Sequence, residues 1–399
     1  MVPRRCQYAG IGNRIEQLSG LDSPDNTSRL SLQTRTGQRK GPELSIQFTR
    51  DSPDRKVPPL WCPIQTAIHP EWRRIDENST LWLERYQIPQ DDSLRAAIVS
   101  IGAGRFGARF LPHAQIWGAQ VIADFWAWVF AFDTVIDEGT IAASPEEIGI
   151  WAAQLTRQLE TASYRGIIEI RTIDPFATAL LDILHRLLSI ASPILIALWI
   201  AAFKGSMLSW IRESANRKFQ SAPNLNDYAM TRIESTFVRV ALLITAAVDG
   251  AEVSALQLER PSVRALTEMC SFIMGIDNDI ISFAKEREHP VEGYNNIVDI
   301  LQVSQSSRTA INAALAIRDR TLRRFLQLRS KLHESSNTPL RRYLDNLASN
   351  IRGNIDASFE CPRYTHSTEW PIAVADNPTE TSNAPLNIPT VEWWWKVDP

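Results

Sequence analysis

The sequence predicts an all-α protein built as a helical bundle around one core. Apolar residues recur at spacings of three and four through six long segments, alternating strand patterns and Asn-Gly hairpin turns are absent, and Pro-containing breaks separate the segments. In chain order the helical segments are 119–135, 176–188, 194–210, 231–247, 263–284 and 309–328. The first is strongly apolar, with Phe125, Trp126, Trp128, Val129 and Phe130 in sequence. Segments 176–188 and 194–210 lie on either side of Pro193. Segment 263–284 carries Met269, Phe272, Ile273, Met274, Ile276, Ile280, Ile281 and Phe283, so it is apolar on most of its circumference. Loops are expected at Ala143-Ser144-Pro145, Ala222-Pro223-Asn224 and His289-Pro290.

The chain has 399 residues, 44% apolar and 22% charged, which fits a globular protein and excludes a fibrous or multispanning one. With 42 Lys and Arg against 45 Asp and Glu the net charge is −3, so no global field recruits nucleic acid or an anionic membrane. An anionic ligand must be held by a local cluster. Residues 1–58 are rich in Ser, Arg, Gln, Asp and Pro and read as a disordered arm, residues 59–364 as the folded domain, and residues 365–399 as a tail. That tail ends in Trp393-Trp394-Trp395, which suits docking on the body or on a partner. Cys6, Cys62, Cys270 and Cys361 show neither zinc spacing nor a disulfide framework, and no apolar run follows Arg4 and Arg5, so a cytoplasmic protein is expected. The apolar run 187–203 contains Pro193 and falls short of the ~20 residues of a membrane span; it reads as a buried core helix.

One motif misleads. Gly102, Gly104 and Gly107 form G-x-G-x-x-G after an apolar run, with Asp124 near the distance of a ribose-binding acid. Pro112 would interrupt the helix that must follow, and no strand–helix alternation appears downstream, so these glycines read as a loop between helices.

Two acidic constellations carry the chemistry. Asp133 and Asp137 lie four apart at the end of the first apolar helix, and such like charges on one face repel unless a cation lies between them. Asn278, Ser282 and Glu286 are spaced four and four on segment 263–284 and its continuation, forming one slanted stripe of hard oxygen donors suited to Mg²⁺. The apolar surroundings of this stripe imply that it lines an interior cavity.

At these points the sequence resembles the class I terpene synthases, particularly the microbial single-domain type. Asp133 to Asp137 resembles their D-D-x-x-D motif, and Asn278 to Glu286 matches N-D-x-x-S-x-x-K-E at every specified position. His69-Pro70, Trp82-Leu83, Asp227-Tyr228, Gly293 to Val298 and Arg363-Tyr364 agree in order, and Arg232, 46 residues before Asn278, resembles the diphosphate-sensing arginine. The resemblance spans residues 60–364. It implies a helical bundle around a central cavity, in which Asp133 and Asp137 hold Mg²⁺ on one wall and Asn278, Ser282 and Glu286 on the other. Three ions are expected, bound with the diphosphate. Arg232, Lys285 and Arg363 would grip the diphosphate, with Tyr364 donating a hydrogen bond. Phe125 and Phe130, eight and three residues before Asp133, share its side of the helix and are the candidate ring faces for a carbocation.

The pattern departs from the family at three places. Thr134 replaces the second aspartate and receives no metal role. Thr236 stands at the effector position, usually a small residue, and Ala357 where a tryptophan six residues before the Arg-Tyr pair is common. The reading is therefore a Mg²⁺-dependent cyclase of a linear prenyl diphosphate, with farnesyl diphosphate as the expected substrate and geranylgeranyl diphosphate as the alternative. A chain-elongating prenyltransferase, which carries two aspartate-rich motifs, and a non-catalytic paralogue that binds a partner are the rivals. No nucleic acid or integral membrane partner is expected, and a homodimer is left open.

Overall fold

Two long helices, each wrapped by neighbours on nearly every side, organise the bundle. In a computed structural model the described residues are 58–137, 144–165, 174–250, 252–288, 295–302, 306–361 and 374–399. A short strand β1 (Leu60–Trp61) precedes α1 (Trp72–Tyr86), α2 (Asp92–Ile101), α3 (Ala103–Ala108) and α4 (Ile116–Asp137). Then come α5 (Pro145–Arg165), α6 (Pro175–Leu188), α7 (Pro193–Phe219), α8 (Leu225–Ser235), α9 (Val238–Val248) and α10 (Ala255–Leu258). The chain continues through α11 (Pro261–Glu288), α12 (Ile297–Gln302), α13 (Ser307–Ser335) and α14 (Thr338–Glu360). It ends with β2 (Val374–Ala375), α15 (Pro389–Glu392) and a 3₁₀ turn at Trp393–Trp395.

The helix starts follow from local chemistry. Asp174, Ser192, Asn224, Ser306 and Asn337 each cap the helix that follows by accepting a backbone N–H, and Pro175 and Pro193 occupy the first turn where their missing N–H costs nothing. The apolar run 187–203 is therefore two helices, not one: α6 ends at Leu188 and α7 begins at Pro193. By length and composition α4 and α7 would each reach across a membrane, but α4 is packed inside the bundle against α1, α3, α6 and α9. Its Ala119, Ile122, Ala123, Phe125, Ala127, Trp128 and Ala131 are fully buried. The second central helix, α11, is surrounded by α8, α9, α13 and α14 and buries Met269, Cys270, Phe272, Ile273 and Ile276 completely. Each such large side chain contributes roughly 1.5–3 kcal/mol on burial.

Two expectations need correcting. Segment 231–247 is not one helix, because α8 stops at Ser235 and α9 starts at Val238. Phe237 sits between them in the left-handed region with φ 57°. For a bulky L-residue that conformation costs on the order of 1–3 kcal/mol and persists only where packing enforces it. Here its ring is fully buried against Trp210 at 4.6 Å and Phe203 at 5.7 Å, and the Trp210 indole donates to the Ser235 carbonyl at 2.8 Å. The second correction concerns Gly102, Gly104 and Gly107, which form a helical corner and not a simple loop. Gly102, φ 73°, ends α2, while Gly104 and Gly107 lie in α3, where a Cβ would stand 2.4 Å from the Cα of Asp76 and of Ala123. Those glycines let three helices touch; they cradle no phosphate. Asp124 is likewise structural, accepting from Ser79 and Gln120 at 2.8 Å and pairing with Arg186 at 2.7 Å.

The C-terminal residues 374–399 lie against the bundle. β2 pairs in parallel with β1, Leu60 opposite Val374 and Trp61 opposite Ala375, and Trp394 is fully buried. Of the two roles the tryptophan-rich end suits, docking on the body is the one seen. The arm at 1–57 lies outside the described residues.

Candidate active site

The second acidic stretch is gathered by one arginine, and the first lies within electrostatic reach of it. Arg232, in the last turn of α8, reaches across to α11, where its Nη2 donates to Asn278 Oδ1 at 3.0 Å and to the Gly275 carbonyl at 3.3 Å and pairs with Asp279. Its other terminal nitrogen faces Ser235 Oγ at 3.5 Å and Glu213 of α7 at 3.9 Å. This approach is possible because residue 275 is glycine: a Cβ there would lie 2.8 Å from Arg232 Cγ and 3.1 Å from Thr236 Cγ2. Burial raises the pKa of Glu213, Arg232 and the Ser235 hydroxyl lower it, and the Asp133 carboxylate raises it again. Asp133, half-buried at the end of α4, is thus within electrostatic reach of the side chain that pairs with Arg232.

Along α11 the predicted stripe changes character from buried to open. Asn278 is half-buried, Ser282 is buried and Glu286 is exposed. The Ser282 hydroxyl donates to Glu286 Oε1 at 2.5 Å, and the Asn296 amide donates to Glu286 Oε2 at 3.1 Å. The stripe therefore runs outward to the rim of the bundle and does not lie wholly in its interior. The side chains of Asp137 and Lys285, and Arg363 and Tyr364 altogether, lie outside the described residues. Among the described residues no three His, Cys, Asp or Glu side chains gather at one point, so the donor set is mixed. An amide, a hydroxyl and carboxylates, all hard oxygens, suit a small divalent cation and give no footing to zinc.

Four residues that the sequence did not single out as functional complete the site. Asp279 is buried, which pushes its carboxyl up to about 7 against the pull of Arg232. It accepts from the Tyr228 hydroxyl at 2.7 Å and from the Ile297 amide at 2.9 Å, while Asn296 donates to its backbone carbonyl at 2.8 Å. The Tyr228 phenol is held well above its usual pKa by burial and by Asp279, so it stays protonated and donates. Asp279, Tyr228 and Asn296 lie inside the sequence motifs that carry the resemblance, so the sequence does signal them. Glu213 had none, being one acid in a polar stretch of α7.

Aromatic rings cluster around the stretch of α4 that precedes Asp133. Phe130 is half-buried and packs edge-on to Phe106 at 5.1 Å; Phe106 also meets Phe110 at 4.7 Å and Trp126 at 5.1 Å. Phe125 is fully buried against Trp126 at 6.0 Å. Thr134 is buried. Thr236 falls at the break between α8 and α9, directly after the arginine-bearing turn. Ala357 is buried and Phe359 packs against the core.

The all-α bundle thus places Asp133 at the end of one central helix and the Asn278, Ser282, Glu286 stripe on another, with Arg232 held against the second. The chain belongs to the terpene synthases, since the family model described as terpene synthase family 2, C-terminal metal binding, matches residues 124–324. The match takes in Asp133, Arg232 and Glu286. The chain is 30% identical to (+)-(1(10)E,4E,6S,7R)-germacradien-6-ol synthase of Streptomyces pratensis over 86% of its own length and 97% of the relative's. It is 27% identical to (+)-T-muurolol synthase ((2E,6E)-farnesyl diphosphate cyclizing) of Streptomyces clavuligerus, over 85% of this chain and 82% of the relative. A crystal structure of the SVS_A2 protein from ancestral sequence reconstruction is 28% identical and superposes with a TM-score of 0.74, covering 85% of this chain and 99% of that one. The protein is an enzyme, a lyase acting on prenyl diphosphates, of a metal-binding family.

Proposed function

We propose that the enzyme cyclises farnesyl diphosphate to a cyclic sesquiterpene in a Mg²⁺-dependent reaction that releases diphosphate. The observation that carries this reading is the Arg232 bridge, which brings α8, Glu213 and Asn278 together within reach of Asp133's charge. The farnesyl chain length is supported by the relative named for cyclising (2E,6E)-farnesyl diphosphate. A cytoplasmic location is supported by Cys62, Cys270 and Cys361, all buried free thiols.

Asp133 and Asp137 would hold metal on the α4 side, and Asn278, Ser282 and Glu286 on the α11 side. Mg²⁺, held by these residues as three ions, would supply the positive charge that offsets the leaving diphosphate as an allylic C–O bond breaks. Arg232 presents its guanidinium to the diphosphate, and its contacts to Ser235 and Glu213 at 3.5 and 3.9 Å are long enough to be exchanged for phosphate oxygens. Lys285 and Arg363 add charge, and Tyr364 adds a hydrogen bond. Thr236 would present its backbone carbonyl from the break between α8 and α9. The cation left behind is attacked by a distal double bond of the same chain, and the resulting cyclic cation becomes neutral by losing a proton or by taking up water and then losing a proton, while Phe125 and Phe130 shield the cation before that step and offer ring faces.

Incubation with Mg²⁺ and farnesyl or geranylgeranyl diphosphate, followed by gas chromatography with mass detection, tests this. A cyclic C15 product is expected from farnesyl diphosphate. Product from the C20 donor alone would move the enzyme to the diterpenes, a longer linear diphosphate would make it a prenyltransferase, and no product from either would leave a non-catalytic protein.

A further inference from the structure

We propose that the C-terminal strap, residues 374–399, is a positioning element of the active site that fixes α8 and α11 against each other, with Trp394 as its central positioning residue. The inference rests on the reading of Asn278 as a metal ligand and of Arg232 as a diphosphate ligand. Those residues sit on different helices, and their 3.0 Å contact holds only if both helices keep their rotation and spacing. Each residue turns a helix by about 100°, so a small roll of α11 would carry Asn278 off the site.

The strap contacts both helices. On α8 the Asn226 side chain accepts the Thr390 N–H at 2.8 Å. On α11 the Trp394 indole donates to Glu268 Oε2 at 3.0 Å, and its ring meets Phe272 edge-on at 5.7 Å. Phe272 in turn contacts Tyr228 of α8 at 6.2 Å, and the Tyr228 hydroxyl holds Asp279. An unbroken line of contacts thus runs from Trp394 to the partner of Arg232. The strap is itself pinned to α13, where Arg324 donates to the carbonyls of Trp394 at 2.9 Å and Val397 at 2.8 Å.

A second thread reaches the other flank of Asn278. The Thr379 N–H donates to Asp319 at 2.7 Å, Asp319 pairs with Arg318 at 3.0 Å, and Arg318 binds Asp277 at 2.8 Å and the Trp61 carbonyl of β1. Asp277 and Asp279 project about 100° to either side of Asn278, so both flanks are clamped and Asn278 is left pointing at the site. A tail that only covered apolar surface would need none of these polar ties to two site-bearing helices.

The test uses the full-length enzyme with three variants, Trp394→Ala, Trp394→Phe and Asn226→Ala. Two quantities are measured: the rise in melting temperature caused by Mg²⁺ plus inorganic diphosphate, and kcat and KM with farnesyl diphosphate. Trp394→Ala is expected to lose most of the ligand-induced rise and to lower kcat about tenfold to a hundredfold with little change in KM, as a displaced catalytic group does. Trp394→Phe, which keeps a ring against Phe272, should recover most of both. Asn226→Ala is a surface change that leaves the core intact, and it should give a smaller loss in the same direction even if Trp394→Ala does not fold. A wild-type ligand-induced rise and kcat in a folded Trp394→Ala, or in Asn226→Ala, would overturn the proposal. Absence of any rise in the wild-type enzyme would instead count against the metal and diphosphate reading on which it rests.

Discussion

Arg318 and Arg232 bind Asp277 and Asp279, the two residues flanking Asn278 on α11, yet the first side chain is 0% exposed and the second 14%. Every nitrogen of Arg318 is engaged, with Asp277, Asp319 and the Trp61 carbonyl. Arg232 also holds a carboxylate, but two of its contacts are stretched to 3.5 and 3.9 Å and face the region of Asp133. Similar chemistry therefore serves different ends. A guanidinium whose donors are taken by fixed partners holds the scaffold, while one with loose partners can exchange them.

Substitutions sharpen the contrast. The largest effect is expected from Asn278→Ala and Glu286→Ala, which remove oxygen donors and no core contact. Each should abolish turnover in a product assay and leave the circular dichroism of the helices unchanged; near-normal turnover would remove that residue from the metal site. Arg232→Lys comes next. It keeps a charge but loses the planar fork, so kcat should fall by roughly 100- to 1000-fold. Its melting temperature should change little, because Asp279 keeps Tyr228 and the Ile297 amide.

Arg318→Met reverses that profile. It strands Asp277 as a buried, unpaired carboxylate and should cost about 3–5 kcal/mol in denaturant unfolding. Equal stability losses in Arg318→Met and Arg232→Lys would erase the distinction drawn between them. The smallest effect is expected from Gly275→Ala, whose new Cβ would press on Arg232 Cγ from 2.8 Å. Overpacking of this kind costs roughly 1–3 kcal/mol, and here it should appear as lost kcat as well as a lower melting temperature.

Much of this was legible in the sequence wherever burial and apolarity coincide. The periodic segments are α4, α6, α7, α11 and α13, and Arg232 and Asn278, linked by their spacing in the sequence, touch at 3.0 Å. What escaped notice is polar. The helix α14 was missed because its inward face includes Asn346, Asn350, Asn354 and Asp356, all buried, so a count of apolar residues finds no stripe. The break at Thr236 and Phe237 was hidden because the apolar period runs through it and the left-handed residue is not a glycine. The strap has the composition of a disordered tail, since it is held by backbone hydrogen bonds and by Leu386, Ile388, Val391 and Trp394, too scattered to form an amphipathic face. Glu213 gave no sign because a charged side chain on a long helix usually faces water.

The most direct test is a crystal structure of the enzyme grown with Mn²⁺ and inorganic diphosphate, in which manganese is located by its anomalous scattering. The predicted result is manganese bound by Asp133 on one side and by Asn278, Ser282 and Glu286 on the other, with the diphosphate between them touching Arg232. Manganese bound elsewhere, or a diphosphate that leaves Arg232 and the Asn278 stripe untouched, would contradict it.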